Sequence, residues 1–181
     1  KDSDLDWSSI FNSMTKIREE VKEIFPYKSI TVDRTEADDI ISVICKHTRS
    51  EKILIISSDK DFQQLHRYEN VDQYSPIRKD FLSCDDPEEF LTDHIIKGDT
   101  SDGIPNILSD DDVFLMQDKR QKPCGKKKIG IIKENLSEWT GTDKWKRNQS
   151  LIDLNSLPKQ YESAILAEYD KEPVGKRSNM L

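Results

Sequence analysis

Three short acidic segments carry the residue types that do chemistry in this chain: Glu36-Ala37-Asp38-Asp39, Asp59-Lys60-Asp61 and Gly98-Asp99-Thr100-Ser101-Asp102-Gly103-Ile104-Pro105. Asp59 and Asp61 stand two apart, directly after the short apolar run Lys52-Ile-Leu-Ile-Ile56. The carboxyl ends of parallel strands are where α/β folds place their ligand sites, so both acids can converge on one point there. A turn and an N-cap before Phe62 would need only one Asp. Glu36, Asp38 and Asp39 open a helix. Capping by Thr35 with Asp38 as the capping-box acid, together with the macrodipole, accounts for one or two of these acids. Glu36 and Asp39, three apart, share the face that Ile40 buries. Asp99 and Asp102 lie between glycines that permit a tight turn, a pattern that a plain surface turn explains as well when taken alone.

Together these segments hold seven carboxylates that the topology can gather at one sheet edge. Like charges crowded within a few ångströms raise one another's pKa, and divalent cations remove the conflict. Oxygen ligands without His or Cys suit Mg²⁺ or Mn²⁺ rather than zinc. His47, His66 and His94 lie outside the acidic runs and are read as surface or packing residues. Carboxylate-held pairs of ions typically catalyse in-line displacement at phosphorus.

The elements that position these acids follow from apolar spacing. Ile10, Met14, Ile17, Val21 and Ile24 form one helical stripe, read as facing a core, with Pro26 just past its end. Ser29–Val32 is a short β-type run, and a helix is expected from about Glu36 to His47. Residues 52–56 suit a central parallel strand covered on both faces. A short helix at Phe62–Arg67 and a strand at Val71–Tyr74 follow. Asp86-Pro87-Glu88-Glu89 opens a helix that Gly98 ends. Asp110–Lys128 reads as a long loop, and helical patterns return at Ile129–Leu136 and Tyr161–Tyr169. Strands alternating with helices indicate an α/β fold with a mainly parallel sheet.

Composition adds a division. The chain has 181 residues, 34% hydrophobic and 35% charged, with no apolar stretch near the roughly 18–20 residues that cross a bilayer. Residues 1–112 carry 26 acidic and 14 basic side chains, whereas residues 113–181 carry 9 and 14. In the basic part, Lys119, Arg120, Lys122, Lys126, Lys127, Lys128 and Lys133 fall close together, and Lys144-Trp145-Lys146-Arg147 places an aromatic among cations. Such cations neutralise phosphates without reading sequence. Lys126, Lys127, Lys128, Lys133, Lys146 and Arg147 are the candidate nucleic-acid contacts, against the alternative of a solvated loop. Trp145 has two readings, a base-stacking platform or an apolar anchor. Cys45, Cys84 and Cys124, odd in number and widely spaced, favour a reducing, cytoplasmic setting over a disulfide framework or zinc ribbon.

Glu-Ala-Asp-Asp at 36–39, Ser-Asp-Lys-Asp-Phe at 58–62 and Gly-Asp-Thr-Ser-Asp-Gly-Ile-Pro at 98–105 resemble, in order and context, the flap endonuclease or 5′-nuclease family. The run Lys52–His66 is similar almost residue for residue to the T-even-type bacteriophage ribonuclease H branch, and Ser150–Pro158 more loosely so. The resemblance implies a PIN-like three-layer α/β sandwich in residues 1–105. It implies a helical, divergent helix-hairpin-helix-like DNA-binding region in residues 106–181. It implies two metal sites, with Glu36, Asp38, Asp59 and Asp61 at the first and Asp39, Asp99 and Asp102 at or around the second. Asp59 and Asp61 are the candidate catalytic residues. Implied substrates are RNA·DNA and DNA·DNA duplexes with a 5′ end or flap, cut by a monomer working beside replication proteins such as a single-strand-binding protein. The family's apolar first strand ending in Asp, and a further Asp before its helical arch, do not appear in this sequence, so an N-terminally truncated chain is expected. The alternatives are a DNA-binding fragment that does not cut and another PIN-like ribonuclease.

Overall fold

The apolar run after Lys52 forms β1 (Ile53–Ile56), which pairs in parallel with β2 (Val71–Ser75); β2 pairs antiparallel with β3 (Asp80–Leu82). A 3₁₀ helix (Lys60–Arg67) makes the crossover between β1 and β2. These elements belong to a computed structural model that describes residues 5–116 and 118–176. The helices are α1 (Trp7–Ile24), α2 (Ala37–His47), α3 (Pro87–Lys97), α4 (Lys126–Glu134), the single turn α5 (Leu136–Trp139), α6 (Asp143–Ile152) and α7 (Lys159–Tyr169).

Two compact units result. One combines the chain up to Thr35 with the chain from Lys159 onward, and the other is Glu36–Pro158. The first unit joins both ends of the sequence. Lys28 Nζ donates to the Tyr169 carbonyl at 2.5 Å and lies over the Tyr169 ring, while Gly175 packs against the backbone of Ile24 and Phe25. The second unit has two apolar centres. Cys45, Ile55, Phe62, Leu65, Tyr68 and Val71 join α2, the sheet and the 3₁₀ helix. Leu91, Ile95, Ile96, Ile107, Ile129, Ile132, Trp145 and Ile152 join α3, α4 and α6. The expected domain boundary at residues 105/106 falls inside this unit, and both of its sides contribute to the second apolar centre.

Several expectations change. The sheet has order β1-β2-β3, so β1 is an edge strand, and the sheet is mixed rather than mainly parallel among the described residues. Ile55 is buried, but Leu54 and Ile56 are 51% and 69% exposed, so β1 is covered on one face only. A continuous apolar run reports what a strand can bury, not what is present to cover it. Ser29–Val32 forms no strand. α1 has the expected stripe yet no buried residue, with Phe11, Met14 and Ile17 each about 60% exposed.

α6 was not legible as a helix. Its inward positions are Trp145, Asn148 and Ile152, and the polar Asn148 breaks the apolar pattern. Asn148 is fully buried because its amide donates to the carbonyls of Ile95 and Pro105, at 2.8 and 2.9 Å, tying α6 to α3 and to the segment after it. This placement settles the two readings of Trp145, which is a core anchor, 5% exposed, with Nε1 donating to Gln149. Trp145→Ala should cost about 3–5 kcal/mol in urea unfolding, whereas Lys146→Ala, exposed on the same helix, should change stability by less than about 0.5 kcal/mol.

Candidate metal centre

The chain leaves β1 through Ser57-Ser58-Asp59, and a buried side chain of the neighbouring strand holds this exit. Gln73 Nε2 donates to the carbonyls of Ser57 and Asp59 at 2.9 and 2.7 Å, and Ser58 Oγ meets Ser75 Oγ at 2.7 Å. Asp59 then caps the 3₁₀ helix, its Oδ1 accepting from the Asp61 N–H at 2.9 Å. Asp59 therefore does what an ordinary turn acid does. Asp61 is left over, half-buried, and turned toward α3.

At the start of α2 the cap lies one residue later than expected. Glu36 is the N-cap and Asp39 the box acid, its Oδ2 accepting from the Glu36 N–H at 2.9 Å; Thr35 Oγ1 instead donates to the Val32 carbonyl. The shift releases Asp38 from capping. Asp38 is half-buried, and burial first, then the charges of Asp59, Asp61, Glu36 and Asp39, push its pKa up to about 6. Burial likewise pushes Asp61 upward, with the Asp59 charge adding to the rise and His94 opposing it.

The third segment follows α3. Gly98 ends that helix at φ +66, and a Cβ there would meet the Ile104 carbonyl oxygen at 2.3 Å, so only glycine lets the chain turn and bridge Asp99 to Ile104. Asp99 is buried. Its Oδ1 accepts from the backbone and hydroxyl of Ser101, and its Oδ2 accepts from Lys60 Nζ at 2.8 Å and His94 Nε2 at 3.1 Å. Burial alone would raise its pKa, but these four donors outweigh it and hold the carboxyl well below the usual range. The bond to Asp99 in turn raises Lys60.

His94 corrects the sequence expectation. It is neither a surface nor a packing residue but 7% exposed between Asp61 and Asp99, with Nδ1 3.4 Å from Asp61 Oδ1. One ligand-capable atom each from Asp61, His94 and Asp99 lies within 4.8 Å of the others. Its one sequence signal was position: in α3 it falls on the buried face with Leu91 and Ile95, where an imidazole needs a polar partner. Asp102, exposed at the tip of the turn, is not drawn into this group. A cleft of about 410 Å³ adjoins the site, lined by Lys60, Phe90, His94 and Lys97 among others.

Among the candidate basic residues, Lys126, Lys127 and Lys128 form the exposed first turn of α4, which has no acidic residue and no side-chain cap. Lys146 is exposed. Lys133, by contrast, pairs with Glu89 and with Asp93, the latter at 3.2 Å. Arg147 pairs with Asp111 and donates to the Pro105 carbonyl.

The donor set fits a divalent cation. The carboxylates of one segment raise the pKa of a carboxylate in another, and the buried Asp61 Oδ1 has no hydrogen-bond partner.

Two tests follow from this geometry. Because the folded-state pKa of Asp38 is raised, the folded protein holds that proton more tightly than the unfolded chain, and stability is lost as pH rises through about 6. Measured by urea unfolding in chelator, Asp38→Asn should gain on wild type between about pH 4 and 7 and show no gain below that window. Gly98→Ala should destabilise by more than about 2 kcal/mol, since left-handed backbone strain adds to the clash with Ile104, and should lower the melting temperature accordingly.

Residues 8–93 match the family described as 5′-3′ exonuclease, N-terminal resolvase-like domain. Across 182 aligned residues the chain is 34% identical to a protein named Ribonuclease H from Enterobacteria phage T4, covering 94% of this chain and 60% of that protein. Two solved structures share the fold. The T5 D15 protein co-crystallized with metal ions superposes with TM-score 0.59 at 23% identity, over 90% of this chain and 65% of that one. A mutant T5 5′-exonuclease does so with TM-score 0.58 at 22% identity, over 94% and 72%. The match at 8–93 and the likeness to the T4 protein along nearly the whole sequence make this α/β chain, with its acidic site at the exit of β1, similar to 5′-nucleases.

Proposed function

We propose that this chain is the metal-binding and nucleic-acid-binding part of a structure-selective 5′-3′ exonuclease and flap endonuclease that hydrolyses phosphodiesters of RNA·DNA or DNA·DNA. The observation that carries this reading is the meeting of acids from separate segments beside the exit of β1: Asp61 and Asp99 converge on His94 within 4.8 Å, and Asp38 lies close enough to Asp59 and Asp61 to feel their charge. The names of the relatives, a ribonuclease H and a 5′-exonuclease, agree with it. Glu36, Asp38, Asp59 and Asp61 hold the first of two Mg²⁺ or Mn²⁺ ions, and Asp39, Asp99 and Asp102 serve the second or its surroundings. Such ions supply charge neutralisation at phosphate and activation of a water nucleophile.

Residues 1–105 carry this chemistry and residues 106–181 the grip on the duplex. Lysines in the first turn of a helix work against its dipole, whereas the same turn suits a phosphate, so Lys126, Lys127 and Lys128 are the leading backbone contacts, with Lys146. Lys133 and Arg147 reach phosphate only by giving up their ion pairs. The enzyme acts as a monomer in the cytoplasm of a bacterial host, clearing primers alongside replication proteins such as a single-strand-binding protein. Among the described residues no helix is long and apolar enough to cross a membrane.

One observation favours a second reading, a module that binds nucleic-acid ends without cutting: Lys60 already compensates Asp99 at 2.8 Å, which lessens the demand for a second ion. Cleavage of a 5′-flap substrate in Mg²⁺ separates the two. Mg²⁺-dependent cleavage that falls about 100-fold or more in Asp59→Asn supports the nuclease; equal cleavage by wild type and variant overturns it. Replacing Lys126, Lys127 and Lys128 by Gln should flatten the salt dependence of duplex binding, by roughly 0.9 in log–log slope for each phosphate no longer neutralised.

A further inference from the structure

Positive charge is unevenly placed in the unit that holds the acidic site. Residues 36–112 carry 19 acidic and 8 basic side chains. Three of those bases, Arg49, Lys52 and Arg67, line one pocket of about 560 Å³ together with Tyr68, Glu69 and Asn70. Lys52 stands directly before β1 and Asn70 directly before β2, whereas Asp59 follows β1, and the two strands are parallel. The pocket therefore lies at the amino ends of the strands, and the acidic site at the carboxyl end, where this type of fold places its ligands.

Its cations are held in place. Arg49 Nε donates to the Lys46 carbonyl at 2.8 Å, and the guanidinium carbon lies 3.7 Å from the centre of the Tyr68 ring. Tyr68 is buried, and its hydroxyl donates to Asn155 at 3.1 Å. A planar cation fixed on an aromatic face through one nitrogen keeps its terminal N–H groups for an oxyanion, which a fork of that shape takes at two points. Arg67 Nε likewise donates to the Gln64 carbonyl at 2.8 Å. Its Nη1 pairs with Glu88 at 3.1 Å, and its Nη2 has no hydrogen-bond partner. Neither Arg49 nor Lys52 makes an ion pair among the described residues. The three cations outnumber Glu69 in the lining and remain in excess after Glu88 is counted against Arg67.

The surroundings decide which kind of anion fits. Duplex nucleic acid carries a charge about every 1.7 Å of its axis and extends well beyond one pocket. Here it would run over residues 36–112, whose acids repel it. A short acidic peptide needs only the pocket. We propose that this pocket docks an acidic segment of a partner protein, with Arg49 and Lys52 as the carboxylate contacts and Arg67 adding to the field. The assignment stands apart from the nuclease reading, because none of these residues belongs to the acidic site at the exit of β1.

Fluorescence anisotropy of a dye-labelled hexapeptide of Asp and Glu reads the docking directly. Wild type should bind it, more weakly as salt rises, and the double variant Arg49→Gln, Lys52→Gln should bind it about tenfold more weakly or worse. Lys52→Gln alone, at an exposed position that leaves the Tyr68 contact intact, should also weaken binding. Arg49→Lys, which keeps the charge and loses the fork, should fall between wild type and the double variant. No binding by wild type at low salt overturns the proposal, as does affinity unchanged in both Lys52→Gln and the double variant. An equal loss on replacing Lys126, Lys127 and Lys128 by Gln overturns it too, by placing the peptide on α4. A short DNA duplex whose affinity falls as steeply as the peptide's in the double variant assigns the pocket to nucleic acid instead. Failure of the nuclease reading shows separately, as Asp59→Asn cleaving flap DNA like wild type, because that measurement does not involve this pocket.

Discussion

Like charge held at close quarters is the constraint that organises residues 36–158. Asp38 and the pair Asp59 and Asp61 come from different segments, yet burial raises Asp38 and Asp61, Asp59 and Asp61 raise Asp38 further, and Asp59 adds to the rise of Asp61. Left alone, such a group would spread apart. The scaffold prevents this with buried amides as well as apolar packing. Gln73, fully buried, holds the carbonyls of Ser57 and Asp59 from the neighbouring strand. Gln64, also fully buried, donates to the Ile152 carbonyl and accepts from the Leu154 N–H, anchoring the 3₁₀ helix that carries Asp61 to the end of α6. Asn148 fixes α6 against α3, which carries His94. These amides find partners within the fold, as buried polar groups must.

What the sequence made legible follows from how each acid is used. Asp59 and Asp61 stood out because two acids followed an apolar strand where a cap needs one, and the structure divides them in that way: Asp59 caps, Asp61 is free of that duty. The α2 acids were legible as a group but not individually. A one-residue slip in the cap, from Thr35 to Glu36, exchanges the parts of Asp38 and Asp39, and composition is blind to that slip because both residues are Asp. His94 was hidden for a different reason. One partner, Asp61, lies on another element far away in sequence, and the other, Asp99, lies beyond the end of the helix that carries His94. An acid-rich pattern invites an oxygen-only ligand set, and a lone histidine in an apolar helix face is passed over.

The fold was legible where apolar runs were long or ended by strong caps, as at β1 and α3. It was hidden where burial uses polar residues, as in α6, or where the partner strand is short, as in β3. The apolar stripes of α1 and β1 were read correctly as amphipathic patterns but wrongly as evidence of cover. Periodicity reports a face that gains by burial, at roughly 25 cal/mol per Å². It carries no information on whether a neighbouring element is present.

The basic half sharpens the same distinction between having a charge and having it available. Lys133 and Arg147 sit among cations in the sequence, but in the fold each is bound to acids of its own unit. A phosphate would have to displace those pairs, so part of any Coulombic gain offsets a loss. Lys126, Lys127 and Lys128 meet no acid within the first turn of α4, and they stand where helix N–H groups lack acceptors. If the chain grips a duplex as proposed, counterion release concentrates on that turn, and a count of lysines and arginines overstates how many phosphates such a grip can hold.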